Sequence, residues 1–341
     1  MTHNLSVGCG AYDRTWPLIA KTVAIEGMSL SWNILPPEEV FLRGMLGREF
    51  DVAEMSFSSY VLQVSRGEAA YTAIPVFVSK KFRHGAIYVR SDAGIGAPED
   101  LRGRRIGLPE YQLTANVWVR GLLSDEYGVR AEDVHWVIGG IDAPGREEKI
   151  PVQLPDRIKT TKIGPGETLW EMMTRGEIDA IVAPRAPKAF LAGDGRIRRL
   201  FEDVKAVEQA YFRRTGVFPP MHIIGVRNDV LERDRSLADR LFDGFERAKQ
   251  HAVRELRQVA YDYAMLPWLG EHLRETEAVM GADYWQYGFD NNRSVIEQMA
   301  RYSHEQGITP RRLDPAELFL PINPSNLARA STREPLQKEG G

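Results

Sequence analysis

Short apolar strands alternate with helices through the first third of this chain, and the alternation then starts again. Leu5 to Gly10 reads as a strand ending in glycines. After the polar turn Tyr12-Asp13-Arg14-Thr15, the segment Trp16 to Ile25 has helical periodicity. Met28 to Leu35 is a second strand, Pro36-Pro37-Glu38-Glu39 opens a helix with proline and acids in its first turn, and Phe50 to Met55 is a third strand. Ser56 and Ser58-Ser59 open another helix. Two further strand-like runs, Tyr71 to Val78 and Gly85 to Arg90, flank the cationic Lys80-Lys81-Phe82-Arg83-His84. Such alternation predicts a parallel α/β sheet.

The pattern restarts near Leu101 with strand Arg105 to Leu108, loop Pro109-Glu110-Tyr111-Gln112 and helix Leu113 to Glu126. Strand Val134 to Ile138 follows, then a loop rich in proline and charge over Ile141 to Thr161, a helix over Glu167 to Arg175 and a strand over Ile178 to Ala183. MLGREFDVAEM (45–55) is similar to MMTRGEIDAIVA (172–183), which reads as the same helix-to-strand joint in two related lobes. Met221 to Val226 is an apolar return strand. The helices expected over Ser236 to Ala260, Glu271 to Met280 and Asn291 to Gln306 have no new strands to cover, so they should pack back on the first lobe. The expectation is a two-lobed α/β protein with a helical C-terminal extension. Lobe 1 comprises 1–90 and 226–323, lobe 2 comprises 91–225, the double crossover lies near Ile87–Arg90 and Met221–Val226, and 324–341 is a polar tail.

A length of 341 residues suits two such units. Lys+Arg 44 against Asp+Glu 47 leaves no basic excess for a phosphate backbone, so no nucleic-acid partner is expected. No apolar run approaches the roughly 20 residues that cross a bilayer, which argues against a membrane partner. MTHNLSVGCG lacks the features of a secretory leader, which points to a cytoplasmic protein. Cys9 is the only cysteine, the seven histidines show no HExxH or HxH spacing, and GIGAPEDLRGRRIG has the wrong spacing for a dinucleotide loop. Neither a metal nor a cofactor is expected, and GxSxG is missing as well.

In open α/β sheets ligands lie beyond the carboxyl ends of the strands. Those ends are Gly10–Thr15, Ser56–Ser59, Pro109–Thr114 and Ala183–Pro187, with His84, Arg90 and His222 supplied by the crossings. This set favours an anionic, carboxylated ring compound. Arg14 either forks onto a carboxylate or pairs with Asp13. Ser58, Ser59 and Thr114 offer hydroxyls to a ligand or cap helices, and Tyr111 and Gln112 read ring substituents or shape a turn. His84 sits in a run that is ordinarily a solvated face, and His222 stands where a core histidine is the ordinary reading, yet both fall at crossings. The tyrosines and tryptophans of the C-terminal half, among them Tyr261, Tyr263 and Trp268, supply either packing or a homodimer interface.

The runs CGAYDRTWPL (9–18), EMSFSSY (54–60), FRHGAIYVR (82–90), GLPEYQLTANVWVRG (107–121), FPPMHIIGVR (218–227) and DYWQYGFDNNR (283–293) resemble those of the 4,5-dihydroxyphthalate decarboxylases. The resemblance extends from about residue 5 to 321. It implies the type II periplasmic-binding-protein fold and a carboxy-lyase that converts 4,5-dihydroxyphthalate to protocatechuate and carbon dioxide. On that chemistry Arg14 would hold the retained carboxylate with help from Ser59 and Thr114, Gln112 and Arg90 would orient the hydroxyls or balance charge, and Ser58 and Tyr111 would also line the substrate. His84 or His222 would give the proton or serve as the phenol base. The rival readings are a solute-binding protein for an aromatic carboxylate and a different cytosolic enzyme on the same fold.

Overall fold

The strand Val52–Ser56 (β3) is buried along its whole length, which places it inside a sheet rather than at an edge. The computed structural model describes residues 2–323, so the tail 324–341 lies outside the described residues. In the first sheet β1 (His3–Cys9) pairs in parallel with β2 (Met28–Ile34) and with β3. β4 (Tyr71–Lys80) and the late strand β11 (Pro220–Arg227) complete the order β2-β1-β3-β11-β4, with β11 antiparallel to both neighbours. The second sheet holds β5 (Ile87–Arg90), β6 (Arg105–Leu108), β7 (His135–Ile138), β8 (Thr160–Lys162), β9 (Ala180–Val182) and β10 (Ile197–Arg199) in the order β10-β5-β9-β6-β7-β8.

The two sheets repeat one plan. β6 lies parallel to β7 and β9 as β1 does to β2 and β3, and β5 takes the antiparallel place of β11. The repeated joint falls at equivalent positions, entering β3 in one lobe and β9 in the other. Asp51 accepts the Ser6 amide of β1 at 2.8 Å, and Asp179 accepts the Arg105 amide of β6 at 3.2 Å. Arg48 (φ 56°) and Gly176 (φ 75°), three residues before those aspartates, both adopt the left-handed conformation that the turn demands.

Because β5 pairs in the second sheet and β11 in the first, the chain changes lobes at 81–86 and 216–219, a few residues earlier at each crossing than the sequence pattern placed it. Helix Leu237–Leu256 packs against β4, as expected of the C-terminal extension. Helix Phe289–Glu305 does more than cover the first lobe. It also docks on helix Thr114–Tyr127 of the second, where Tyr302 stacks edge-on against Trp118 at 5.5 Å and donates to Asp125 at 2.6 Å. Just beyond the helix, Gln306 accepts from Arg120 at 2.8 Å and donates to the Val117 carbonyl at 2.9 Å.

Candidate active site

Glu54 is a carboxylate in the middle of the buried strand β3, and its side chain is fully enclosed. Such a group must be satisfied by donors, and four converge on it. The Gly10 amide gives a hydrogen bond of 2.8 Å, the Tyr12 hydroxyl one of 2.6 Å, His222 Nδ1 one of 2.6 Å and the Cys9 thiol a weaker one of 3.5 Å. Burial pushes the Glu54 pKa up, but the hydrogen bond and charge of His222, with the Tyr12 and Gly10 donors, outweigh it and hold the carboxyl below its ordinary value. An ionised carboxylate only accepts, so Nδ1 of His222 carries a proton and the ring is oriented by Glu54. Pairing across β3 and β11 sets His222 opposite Ser56, and Phe41 meets the imidazole edge-on at 4.9 Å.

Arg14 lies beside this pair. Its guanidinium is sandwiched between the rings of Tyr12 at 4.3 Å and Trp285 at 4.2 Å, with Nε donating to the Val78 carbonyl at 2.6 Å and Nη1 to Asp13 at 2.8 Å. Of the two readings of Arg14, the pairing with Asp13 is present, and two aromatic faces fix the plane of the guanidinium.

The hydroxyl residues come together as a junction between the lobes. Ser58 Oγ donates to the Gln112 carbonyl at 2.5 Å, Ser59 Oγ to Gln112 Oε1 at 2.8 Å, and Thr114 Oγ1 lies 3.0 Å from both Ser56 Oγ and Ser58 Oγ. Gln112 Nε2 is buried with no hydrogen-bond partner. Ser56, Ser59, Gln112, Phe41, Lys149 and Ile150 wall a space of only about 10 Å³, room for about one water. The lobes are thus closed on each other. The proline-rich stretch expected as a loop straps across this junction, with Arg146 linking buried Glu110 of lobe 2 at 2.5 Å to Glu38 of lobe 1 at 3.3 Å and Lys149 adding a 2.9 Å contact to Glu110.

Three of the expected residues are placed elsewhere. His84 is 2% exposed, packs on Tyr211 at 5.0 Å and Phe201 at 5.5 Å, and among the described residues has no hydrogen-bond partner for either ring nitrogen, Glu208 lying 3.9 Å from Nδ1. Burial, with the charge of Arg214 adding to it, lowers its pKa to about 4, so it is a neutral packing residue of lobe 2. Arg90 ends β5, which runs antiparallel to β9. Its side chain therefore lies at the edge away from the junction, bonded to Asp92 at 2.6 Å. Tyr111 is fully buried under Arg120, and its hydroxyl donates to the Gln306 carbonyl at 3.1 Å instead of facing a ligand.

Sequence reasoning passed over Glu54, Tyr12 and Trp285. A signal for Glu54 exists: it follows Val52-Ala53 and precedes Met55 inside a strand, past the Asp51 at its start, and a carboxylate there is too costly to bury without a purpose. Among the described residues, no three histidine, cysteine, aspartate or glutamate side chains gather as metal ligands.

Comparison with known proteins bears on both fold and activity. No family model matches the chain. A curated 4,5-dihydroxyphthalate decarboxylase from Comamonas testosteroni is 42% identical over 319 residues, 94% of this chain and 97% of that protein. One from Pseudomonas putida is 42% identical over 210 residues, 62% of this chain and 81% of the relative. Among solved structures, the periplasmic aliphatic sulphonate binding protein SsuA from Escherichia coli aligns over 95% of this chain and 94% of its own, with a TM-score of 0.52 and 12% identity. The desulfurization enzyme DSZB aligns over 96% and 99%, with a TM-score of 0.50 and 14% identity. These two show the periplasmic-binding-protein-like fold, shared by a binder and an enzyme.

Proposed function

Because this chain belongs to the 4,5-dihydroxyphthalate decarboxylase family, we propose that it removes carbon dioxide from 4,5-dihydroxyphthalate between its lobes, leaving protocatechuate. The observation that carries this reading beyond the relatives is the set Arg14, Glu54 and His222 at one rim of the junction, a planar cation beside a carboxylate-oriented imidazole.

In this substrate each carboxylate has a hydroxyl para to it, which feeds electron density to the carbon that will lose carbon dioxide. Arg14 holds the retained carboxylate. As the lobes part, Ser59 Oγ leaves Gln112 Oε1 and Thr114 Oγ1 leaves the Ser56 and Ser58 hydroxyls, and these two hydroxyls with the unpartnered Gln112 Nε2 hold the ring substituents. His222 gives a proton to the ipso carbon. Carbon dioxide then leaves with its bonding pair returned to the ring, and aromaticity is restored. The departing carboxylate is best left without a strong cation, since gripping it would stabilise the ground state. Glu54 stays ionised throughout and keeps Nδ1 occupied, so that Nε2 carries the transferred proton.

The closed junction supports a cycle of opening, binding and closure. The second partner we take to be another copy of this chain, for which the exposed side chains of Val259, Met265 and Trp268 supply apolar surface. We place the reaction in the cytoplasm, consistent with a single buried free thiol at Cys9. The test is a carbon dioxide and protocatechuate assay on His222→Gln beside His84→Phe. His222→Gln should lower kcat by about 10² to 10⁴ with phthalate binding retained, and His84→Phe should keep turnover near that of the parent. Binding of 4,5-dihydroxyphthalate by the parent without product would return the chain to the solute-binding reading.

A further inference from the structure

A second pocket, of about 430 Å³, opens where the chain passes between the lobes, and neither Arg14 nor His222 lines it. Its walls come from both crossings and from lobe 2: Lys80 to Arg83, Phe218, the turn after β9, the end of β10 and helix Val204–Thr215. Four basic side chains, Lys80, Lys81, Arg83 and Arg199, line it against one carboxylate, Glu208.

This imbalance is unusual in a protein whose arginines are mostly tied into ion pairs. Among the described residues, Arg83 has one side-chain hydrogen bond, from Nε to the Met221 sulfur at 3.1 Å, a weak acceptor that leaves the rest of the fork unanswered. Burial lowers its pKa to about 10, with Glu208 as the opposing charge. Lys80 is 8% exposed; its amine donates to Oδ1 of Asn292 at 2.7 Å and lies over the Phe77 and Phe218 rings at 5.3 and 5.8 Å, and burial lowers its pKa to about 7. Arg199 lies over the Phe190 ring at 5.1 Å and forms no ion pair within 4 Å among the described residues. Lys80 and Arg83, withdrawn from solvent, thus lack the counter-charge that usually accompanies such groups, while Lys81 and Arg199 stand at the exposed rim. The apolar part of the wall is aromatic: Phe82 and Phe218 stack at 4.8 Å with planes 31° apart, and Tyr88 adds a third ring.

We propose that this pocket is a second binding site, for an aromatic carboxylate whose ring lies on the Phe82–Phe218 face and whose carboxylates take the Arg83 and Arg199 forks. The ligand class follows from the pocket's own chemistry and does not depend on the decarboxylase reading. Since both crossings contribute walls, an occupant there braces the hinge.

Calorimetric titration of the full chain with phthalate, which lacks the hydroxyls needed for turnover, tests the site directly. Two phthalates should bind the parent, and one should bind Arg14→Gln. In Arg83→Gln/Arg199→Gln the affinity of one site should fall about tenfold or more. Arg199→Gln alone, an exposed change that leaves the fold intact, should weaken the same site. A single phthalate in the parent, lost with Arg14→Gln, would overturn the proposal, as would an unchanged isotherm for the double variant. Inorganic phosphate binding as tightly as phthalate would remove the aromatic part of the assignment. A loss of turnover in Arg199→Gln as large as that in Arg14→Gln would make the pocket the reaction site and not a second one.

Discussion

Arg14 illustrates how little a charge means until its plane is fixed. Held between Tyr12 and Trp285, it presents a preset fork, so Arg14→Lys should lower kcat/KM about as much as Arg14→Gln, by about 10². Steady-state kinetics in which the lysine variant kept most of the activity would show that charge alone suffices. Glu54 works through His222. Glu54→Gln keeps the shape but offers an amide where a carboxylate accepted, so kcat should fall while KM changes only a few-fold, and the pH profile of kcat should shift with it. A parental pH profile in that variant would reduce Glu54 to a structural role. Arg14, the serines, Thr114, Gln112 and His222 were legible because each stands at a strand end where a ligand cleft opens. His84 and Arg90 were misplaced because residue order does not say which way β5 runs or what helix covers it. Glu54 escaped notice because a one-dimensional pattern does not show four donors arriving from the end of β1, the turn after it and β11.

At the scale of elements, the strap between β7 and β8 is the part that sequence described least, since its prolines and charges obey no period. Its order comes from tertiary contacts: Glu110, Arg146 and Glu38 in a chain across the lobes, and Arg66 donating to the Pro151 carbonyl at 2.8 Å. Glu38→Gln removes one lobe's share of that chain. It should favour the open form, seen as a larger radius of gyration in solution scattering and a raised KM with little change in kcat. The same strap carries Glu148, which accepts the Tyr111 amide and is pushed up to about 7, chiefly by burial. A carboxyl with its folded pKa raised keeps a proton that the unfolded chain releases near pH 4.3. Its burial therefore costs progressively more stability as pH rises from there to about 7, and the whole cost remains above that. Glu148→Gln should then gain about 1 to 3 kcal/mol at pH 8 relative to pH 5, read from denaturant midpoints. An equal gain at both pH values would contradict the assignment. The repeated joint, by contrast, could be read directly, since the turn and the aspartate that anchors the neighbouring strand recur at the same spacing in both lobes.

For the whole molecule, the alternation of elements and its restart were enough to predict two lobes and a double crossover, whereas the third connection was hidden. Helix Phe289–Glu305 was expected to cover the first lobe alone, and nothing in its period announces that its other face belongs to the second. Gly121 makes the contact possible, since a Cβ there would overlap the Tyr302 ring. Gly121→Ala should cost about 1 to 3 kcal/mol and lower the melting temperature of both lobes together. Two separated transitions, or none displaced, would show that the lobes are not joined in this way. The helix starts ~70 residues after the chain leaves lobe 2, and at ribosomal speeds of roughly 5 to 20 residues per second it emerges about 4 to 15 s later. During that interval the surface around Trp118, Arg120 and Gly121 lacks its cover, so the nascent chain should be most exposed to chaperones and proteases when its second lobe is complete and helix Phe289–Glu305 is still unmade.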